Sequence, residues 1–118
     1  MGRLTTHVLD MARGGPAAGL AFALFRLGDD AAAELLVSGH TNADGRAEGP
    51  LLEGPALAVG RYQLVFQAGD YLRGQAAALS DPPFLDDVVI RFGIGAVDEH
   101  YHVPLLLSPY GYSTYRGS

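Results

Sequence analysis

The fold is decided by the stretch His100–Ser118, which has the sequence HYHVPLLLSPYGYSTYRGS. With the period of two that a strand imposes, its first half places His100 and His102 on one face and mostly apolar residues on the other. A Ser-Pro pair then interrupts the run, and Tyr110–Tyr115 alternates aromatic with small residues. The pattern predicts a β-hairpin with two imidazoles on one arm and a tyrosine and an arginine on the other.

The rest of the chain predicts further short strands that supply partners for this hairpin. Leu4–Met11 alternates cleanly and places His7 on one of its two faces. Ala31–Ser38 favours a helix by propensity, but its length and its position between two turns favour a strand. Three more strands are predicted at Leu20–Leu27, Gly60–Ala68 and Asp87–Ile94.

Turns and one helix separate these strands. Gly39–Arg46 is dense in Gly, Asn and Asp, which accept positive φ angles, so a tight turn would hold the Arg46 guanidinium near a fixed point. Leu51–Leu57 is typical of a loop. Asp70–Leu79 is the best helix candidate, with Asp70 as its N-cap. Short strands, many turns and one short helix predict an all-β sandwich or small barrel.

Composition limits both the class of protein and its partners. At 118 residues the chain makes one domain, residues 1–118, and 48% apolar content is enough for a globular core. A net charge of -5 argues against nucleic acid and anionic membranes as partners. The sequence has no cysteine and no apolar run of about 18 residues, so we expect a soluble protein without disulfides or thiolate chemistry.

Several side chains are suited to hydrolytic chemistry. Histidine exchanges protons near neutral pH, and His7 and His102 both lie on predicted strands that would fix their positions. Arg46 is a permanent cation that can bind a carbonyl oxygen or a delocalised anion. Tyr115 and the Ser118 hydroxyl lie near the end of the predicted hairpin. Together they could form a hydrolytic site that needs neither a metal nor a covalent nucleophile.

Less specific interpretations fit the same residues. A histidine on a strand is more often a surface or core group, and an arginine after a turn is by default a solvated charge. The tyrosines of the hairpin can be cross-strand packing residues. His100 and His102 could also bind zinc through their i, i+2 spacing. Further ligands could then come from His7, His40, Asp98 or Glu99.

Three motifs go beyond composition and periodicity. They are LTTHVLD at 4–10 with RGGPA at 13–17, TNADGR at 41–46, and YHVPLLLSPYGYSTYRGS at 101–118. In identity, order and spacing they resemble the transthyretin-like family, over essentially the whole chain. Within that family the chain resembles the enzyme branch and not the hormone-carrying branch. The carrier branch has lysine, glutamate and threonines at the positions of His7, Arg46, His102 and Tyr115.

The resemblance implies a β-sandwich of two four-stranded sheets with one short helix. It also implies a homotetramer, a dimer of dimers, with active sites in the channel between the dimers. The implied reaction is hydrolysis of 5-hydroxyisourate to 2-oxo-4-hydroxy-4-carboxy-5-ureidoimidazoline in urate degradation, in the cytoplasm and without a metal or other cofactor. The implied catalytic residues are His7, Arg46 and His102, and Tyr115, Ser118 and His100 are the implied substrate-binding residues.

Two other functions remain open from the residues. A non-enzymatic carrier would use the same channel for a small aromatic ligand, although ionisable channel residues count against it. A zinc-binding or structural module would use the histidines, and it would lose its fold or assembly when the metal is removed.

Overall fold

Nine strands and one α-helix are formed by the residues that the computed structural model describes, which are 2–30, 32–75 and 79–117. In chain order the strands are β1 (Arg3–Asp10), β2 (Gly15–Pro16), β3 (Ala21–Leu27), β4 (Ala33–His40), β5 (Leu52–Glu53), β6 (Gly60–Phe66), β7 (Val88–Ile94), β8 (His100–Ser108) and β9 (Gly111–Thr114). A 3₁₀ turn spans Gly54–Ala56, and helix α1 spans Ala68–Arg73.

The strands assemble into two sheets. The first has the order β2-β1-β8-β9, with β5 also paired to β1, and the second has the order β4-β3-β6-β7. The pair β1–β8 is parallel, and the other named pairs are antiparallel. The predicted all-β sandwich is therefore confirmed. The first sheet has five strands and not four, because the two-residue strands β2 and β5 pair with opposite ends of β1.

The core lies between the inner faces of the sheets. Alternation along β1 and β8 sends one set of residues inward, and burying each large apolar side chain contributes about 1.5–3 kcal/mol. The fully buried set includes Leu4, Val8, Leu24, Tyr62, Leu64, Phe66, Leu105 and Leu107. The same alternation leaves the other faces of β1 and β8 free to carry polar side chains.

Strand β4 and the final hairpin confirm two predictions from the sequence. Ala33–His40 pairs with β3, with one register shift at Leu24–Phe25, so tertiary pairing outweighs the helix propensity of its first residues, Ala-Glu-Leu-Leu. The hairpin β8–β9 forms with His100 and His102 on the face opposite to Tyr101 and Val103.

The helix differs from its prediction. It spans Ala68–Arg73, with Gln67 at the N-cap position, so Asp70 lies within the first turn and forms an ion pair with Arg73 at 3.0 Å. The helix ends before Gly74, whose backbone freedom makes helix continuation unfavourable. Residues 76–78, which supplied the alanine propensity of the predicted helix, lie outside the described residues. The predicted loop at 51–57 contains β5 and the 3₁₀ turn.

Candidate active site

The parallel register of β1 and β8 assembles polar side chains on the outer face of the first sheet. Thr5 lies opposite His102, and Arg3 lies opposite His100. His7 lies two residues further along β1, opposite Pro104. Because side chains alternate along a strand, positions 3, 5 and 7 share one face, and so do positions 100 and 102.

The hydroxyl of Thr5 joins two imidazoles. Its Oγ1 is 2.8 Å from Nδ1 of His102 and 3.1 Å from Nε2 of His100. All three side chains are partly buried. One short side chain on β1 therefore fixes the positions of two rings on β8.

A tight turn places Arg46 beside this face. The Asn42 Oδ1 accepts hydrogen bonds from the backbone N–H groups of Asp44 (2.9 Å) and Arg46 (3.1 Å), while the Asn42 N–H donates to the Arg46 carbonyl (2.8 Å). Gly45 has a φ of 77°, a conformation that glycine adopts without strain. A Cβ at Gly45 would also collide with the carbonyl oxygen of Val8. The sequence of the turn is therefore set both by its own geometry and by its close approach to β1.

His7 attaches the same turn to β1. Its Nε2 lies 2.8 Å from the carbonyl oxygen of Asp44, and the Val8 N–H donates to the Gly45 carbonyl at 2.8 Å. A carbonyl oxygen can accept a hydrogen bond but not donate one, so Nε2 of His7 carries a proton. His7 thus holds the turn in place and, through it, the backbone of Arg46.

A cleft of about 420 Å³ opens over these groups. None of the described residues that line it is acidic, although the whole chain has a net charge of -5. The cleft therefore concentrates positive charge and hydrogen-bond donors on an otherwise acidic protein, and this favours an electron-rich or anionic ligand. The lining residues are Arg3, Thr5, Thr6, Arg46, Ala47, Gly49, Pro50, His100 and His102.

His102 is prepared to accept a proton at neutral pH. Partial burial lowers its pKa below the usual 6.5, and the positive charge of Arg46 and the nearby His7 and His100 lower the pKa further. The imidazole of His102 is therefore neutral at pH 7. A neutral imidazole can take a proton from water.

The C-terminal segment lies against the ring of His102. The Gly117 N–H donates to the His102 carbonyl at 2.7 Å, and a Cβ at Gly117 would lie 2.8 Å from Cδ2 of the imidazole. The preceding Arg116 lies over the ring of Tyr101 at 4.1 Å and pairs with Glu99 at 2.8 Å. Glycine at 117 therefore allows this segment to pack against the imidazole.

The residues predicted from the sequence fall into three groups. Arg46, His100 and His102 line the cleft, and His7 lies on the same sheet face beneath the Arg46 turn. Tyr115 lies elsewhere, in a separate pocket of about 250 Å³ between β7 and the end of the chain, and its side chain is 58% exposed. Ser118 lies outside the described residues. Roles for Tyr115 and Ser118 remain predictions.

Three site residues were not anticipated from the sequence. Thr5 could have been suspected, because it lies two residues before His7 and shares its face. Asn42 begins an Asn-x-Asp-Gly segment, which is typical of a side-chain-capped turn. Nothing in the sequence pattern indicated that Gly117 contacts His102.

Metal ligation has no supporting geometry in the described ranges 2–30, 32–75 and 79–117, where no group of three or more His, Cys, Asp or Glu side chains is placed to hold an ion. His100 and His102 instead share the hydroxyl of Thr5. The two-ligand spacing noted in the sequence therefore corresponds to a hydrogen-bonded cluster.

Fold and cleft together define a small two-sheet sandwich protein with histidines and arginines on the outer face of one sheet. The model of the HIUase/Transthyretin family matches residues 4–117. The chain belongs to this family.

Two of the similar proteins are hydrolases of nearly the same length as this chain, and a third is longer. The chain is 62% identical over 117 residues to 5-hydroxyisourate hydrolase 2 of Rhizobium meliloti. This alignment covers 99% of this chain and 97% of the relative. A solved 5-hydroxyisourate hydrolase of Klebsiella pneumoniae superposes with a TM-score of 0.81 at 36% identity, over 100% of both chains. The structure of an (S)-allantoin synthase superposes with a TM-score of 0.93 at 46% identity, over 99% of this chain. This chain spans 44% of the length of that synthase.

Proposed function

We propose that this protein hydrolyses 5-hydroxyisourate to 2-oxo-4-hydroxy-4-carboxy-5-ureidoimidazoline. Full-length relatives carry the name of this activity. The observation that carries the proposal is the cleft itself, where neutral His102 and cationic Arg46 lie beside one another without any acidic lining residue among those described. A base for water and a cation for the substrate are the two groups that opening of an electron-rich cyclic amide requires.

The reaction proceeds in two steps at one carbonyl carbon. An imidazole takes a proton from water as the water oxygen bonds to the ring carbonyl, and the guanidinium of Arg46 stabilises the oxyanion that forms. One donor of this kind typically lowers the barrier by about 3 kcal/mol. The ring C–N bond then breaks, and its nitrogen takes the proton from the imidazole. His100, Tyr115 and Ser118 are proposed to orient the substrate and the water.

The assembly is proposed to be a homotetramer made of two dimers, with sites in the channel between them. Two features support it. Among the described residues, β7 and β9 are edge strands of their sheets, and the pocket near Tyr115 is lined by residues of both strands, so the two edges lie side by side. The cleft lies on an outer sheet face, which would become a closed site when a second copy covers it.

The cytoplasmic location expected from the sequence is likewise a proposal. Among the described helices none is both long and apolar enough to cross a membrane. The proposed substrate is a small molecule, and neither nucleic acid nor membrane is expected as a partner of an acidic chain.

The test follows the ultraviolet absorbance of 5-hydroxyisourate, which urate oxidase generates in the cuvette, with and without this protein. The protein is first dialysed against a chelator. We expect loss of the intermediate well above the spontaneous rate. Decay at the spontaneous rate from folded protein would favour the carrier function, which predicts stoichiometric binding without turnover. Activity that disappears on chelation and returns with zinc would favour the metal-binding alternative.

A further inference from the structure

The hydroxyl of Thr5 lies within hydrogen-bond distance of two imidazole nitrogens, one on His100 and one on His102. It is 2.8 Å from Nδ1 of His102 and 3.1 Å from Nε2 of His100. A hydroxyl has one hydrogen to donate and two lone pairs to accept. When both imidazoles are neutral and both contacts are hydrogen bonds, Thr5 either donates to one ring and accepts from the other or accepts from both rings.

The arrangements differ in whether His102 keeps a lone pair that can accept a proton from water. If Thr5 donates to His102, the single ring proton of neutral His102 is on Nε2, and this ring has no lone pair left to accept a proton from water. If Thr5 donates to His100 or accepts from both rings, Nδ1 of His102 carries the proton and donates to Thr5. Nε2 of His102 then keeps its lone pair and can act as a base.

His7 has no such choice. Its Nε2 carries a proton because it contacts the Asp44 carbonyl at 2.8 Å. Nδ1, the nitrogen nearer its own backbone, is therefore the only nitrogen of this ring that could act as an acceptor. His7 is also not among the residues that line the cleft, whereas His102 is.

We propose that Thr5 is a positioning residue, which holds neutral His102 with its proton on Nδ1 and a free lone pair on Nε2, while His100 accepts the hydrogen of Thr5. The chain His102 Nδ1–H to Thr5 Oγ1–H to His100 Nε2 makes His102 the general base. This inference rests on the proposed hydrolase function. During turnover the water proton moves to Nε2 of His102 and then to the ring nitrogen of the substrate, while Thr5 keeps its own proton.

The charges around His102 agree with this assignment. Arg46 faces it from the turn, His7 and Arg3 from β1, and His100 from its own strand. Arg116 of the C-terminal segment pairs with Glu99. Because most of these groups are cationic or can become so, the neutral form of His102 is favoured, and a neutral ring needs a partner that selects its tautomer.

The first test reads the tautomer in the absence of substrate. Two-bond ¹H–¹⁵N correlation spectra at about pH 7.5 distinguish protonated from unprotonated ring nitrogens, and His102→Gln identifies the signals of this ring. We expect Nδ1 of His102 to be protonated and Nε2 unprotonated. Thr5→Val should raise protonation of Nε2, Thr5→Ser should restore the wild-type pattern, and Thr114→Val, which removes a hydroxyl bonded to the Pro104 carbonyl on β8, should leave it unchanged.

A second variant keeps the test decisive if Thr5→Val does not fold. His100→Ala removes the acceptor of the Thr5 hydrogen, so Thr5 becomes free to donate to His102 and protonation of Nε2 should rise. Wild-type protein with its proton on Nε2, or a His102 tautomer that is unchanged in the folded Thr5→Val or His100→Ala variant, would overturn the proposal.

The second test is kinetic and separates this proposal from the function on which it rests. At metal sites, loss of the group that orients an imidazole ligand typically costs about 10- to 100-fold, and we expect a loss of the same order here. We expect that loss in kcat for Thr5→Val, with KM nearly unchanged, and recovery in Thr5→Ser. Absence of turnover in the wild type would contradict the hydrolase function, while the spectra would still decide the tautomer. Full kcat in folded Thr5→Val would contradict the role of Thr5.

Discussion

His102 connects the geometry of the cleft to the pH at which it works. Its pKa is lowered first by burial and then by the charges of Arg46, His7 and His100. A lowered pKa means that the basic form persists to lower pH, so activity that needs neutral His102 should be constant through pH 7. It should fall only below about 6.5, the ordinary pKa of histidine.

A profile of kcat/KM from about pH 5 to 8 measures this pKa in the free enzyme. His102→Gln should lower kcat by about 10²- to 10⁴-fold, because it removes the proton acceptor. His40→Gln, which changes an exposed histidine on β4, is the matched control and should keep both the rate and the profile. An acidic limb centred above pH 6.5 would contradict the lowered pKa of His102.

A second residue-scale pair stabilises the fold without touching the cleft. The Tyr71 hydroxyl donates to Oδ2 of buried Asp10 at 2.7 Å, and Oδ1 of Asp10 accepts from the N–H groups of Ala12 and Arg13. Desolvation, followed by the hydrogen bond and charge of Asp10, raises the pKa of Tyr71 to about 12. Asp10 thus ties helix α1 to the end of β1 and to the turn that follows.

Tyr71→Phe should lower the free energy of unfolding by about 1.5–3 kcal/mol, the usual range for a hydrogen bond to a charged group. Because the folded pKa lies above the unfolded value of 10.0, this stabilisation is complete below pH 10 and is lost as pH rises toward 12. Urea denaturation at pH 7.5 measures the change, with Tyr110→Phe, at a 65% exposed tyrosine, as control. Equal stability of the two variants would show that the Asp10 bond contributes nothing.

At the scale of elements, the turn 42–46 positions Arg46 through backbone geometry. Gly45 needs a positive φ and also lies against the Val8 carbonyl, whereas Gly14 has a similar φ of 74° with open space around its Cα. Both glycines would pay the same cost of about 1 kcal/mol for a left-handed alanine. Of the two alanines, only the one at position 45 would collide with a neighbour, the carbonyl oxygen of Val8. The turn would have to move to relieve this collision.

Gly45→Ala should therefore lower the free energy of unfolding by more than about 1 kcal/mol. It should also lower kcat/KM, because the collision displaces Arg46 and the Asp44 carbonyl that contacts His7. Gly14→Ala should lower the free energy of unfolding only by the cost of about 1 kcal/mol that both variants share, and it should leave activity unchanged. Urea midpoints and steady-state kinetics on the two variants separate these effects. Equal activity in both would mean that the turn does not set the position of Arg46.

Elements also show how far the sequence could predict this structure. Period-two alternation predicted β1 and the hairpin β8–β9, because each strand buries one face. The two-residue strands β2 and β5 carry too little pattern, and they form because β1 offers a free edge. The parallel pairing of β1 with β8 joins residues nearly a hundred positions apart, so the contact of Thr5 with His102 could not be derived from local pattern.

The helix was predicted, but with the wrong boundaries. Intrinsic propensity predicted a helix over 70–79, but the helix begins at Ala68 and ends before Gly74. Buried Tyr71 and Leu72 determine where it lies, since their packing on the sandwich contributes more than intrinsic helix propensity. The motifs predicted Arg46, His100 and His102 as site residues, and all three line the cleft, but the groups that hold them became visible only in three dimensions.

For the whole molecule, assembly decides whether the cleft is a complete site. The groups that line it lie on the outer face of one sheet, and Tyr115, predicted to bind substrate, lies in a different pocket of the same chain. If Tyr115 contacts substrate, it must therefore do so in a neighbouring copy or after a rearrangement of its own chain. The proposed tetramer supplies the first of these, and β7 and β9, the edge strands nearest Tyr115 among the described residues, are where we propose that copies pair.

Light scattering coupled to gel filtration should give a mass four times the 12.4 kDa of the chain. Val89→Lys places a charge on the open edge strand β7, where pairing of two copies would bring like charges together, so we expect smaller species and a parallel loss of kcat. Val59→Lys changes a similarly exposed valine outside the strands and should leave mass and activity intact.

Because an incomplete site cannot turn over substrate, dilution below the dissociation constant of the assembly should reduce the activity per chain. A wild-type monomer with full activity would show that one copy of the cleft is sufficient, and it would remove the reason to place the sites between dimers.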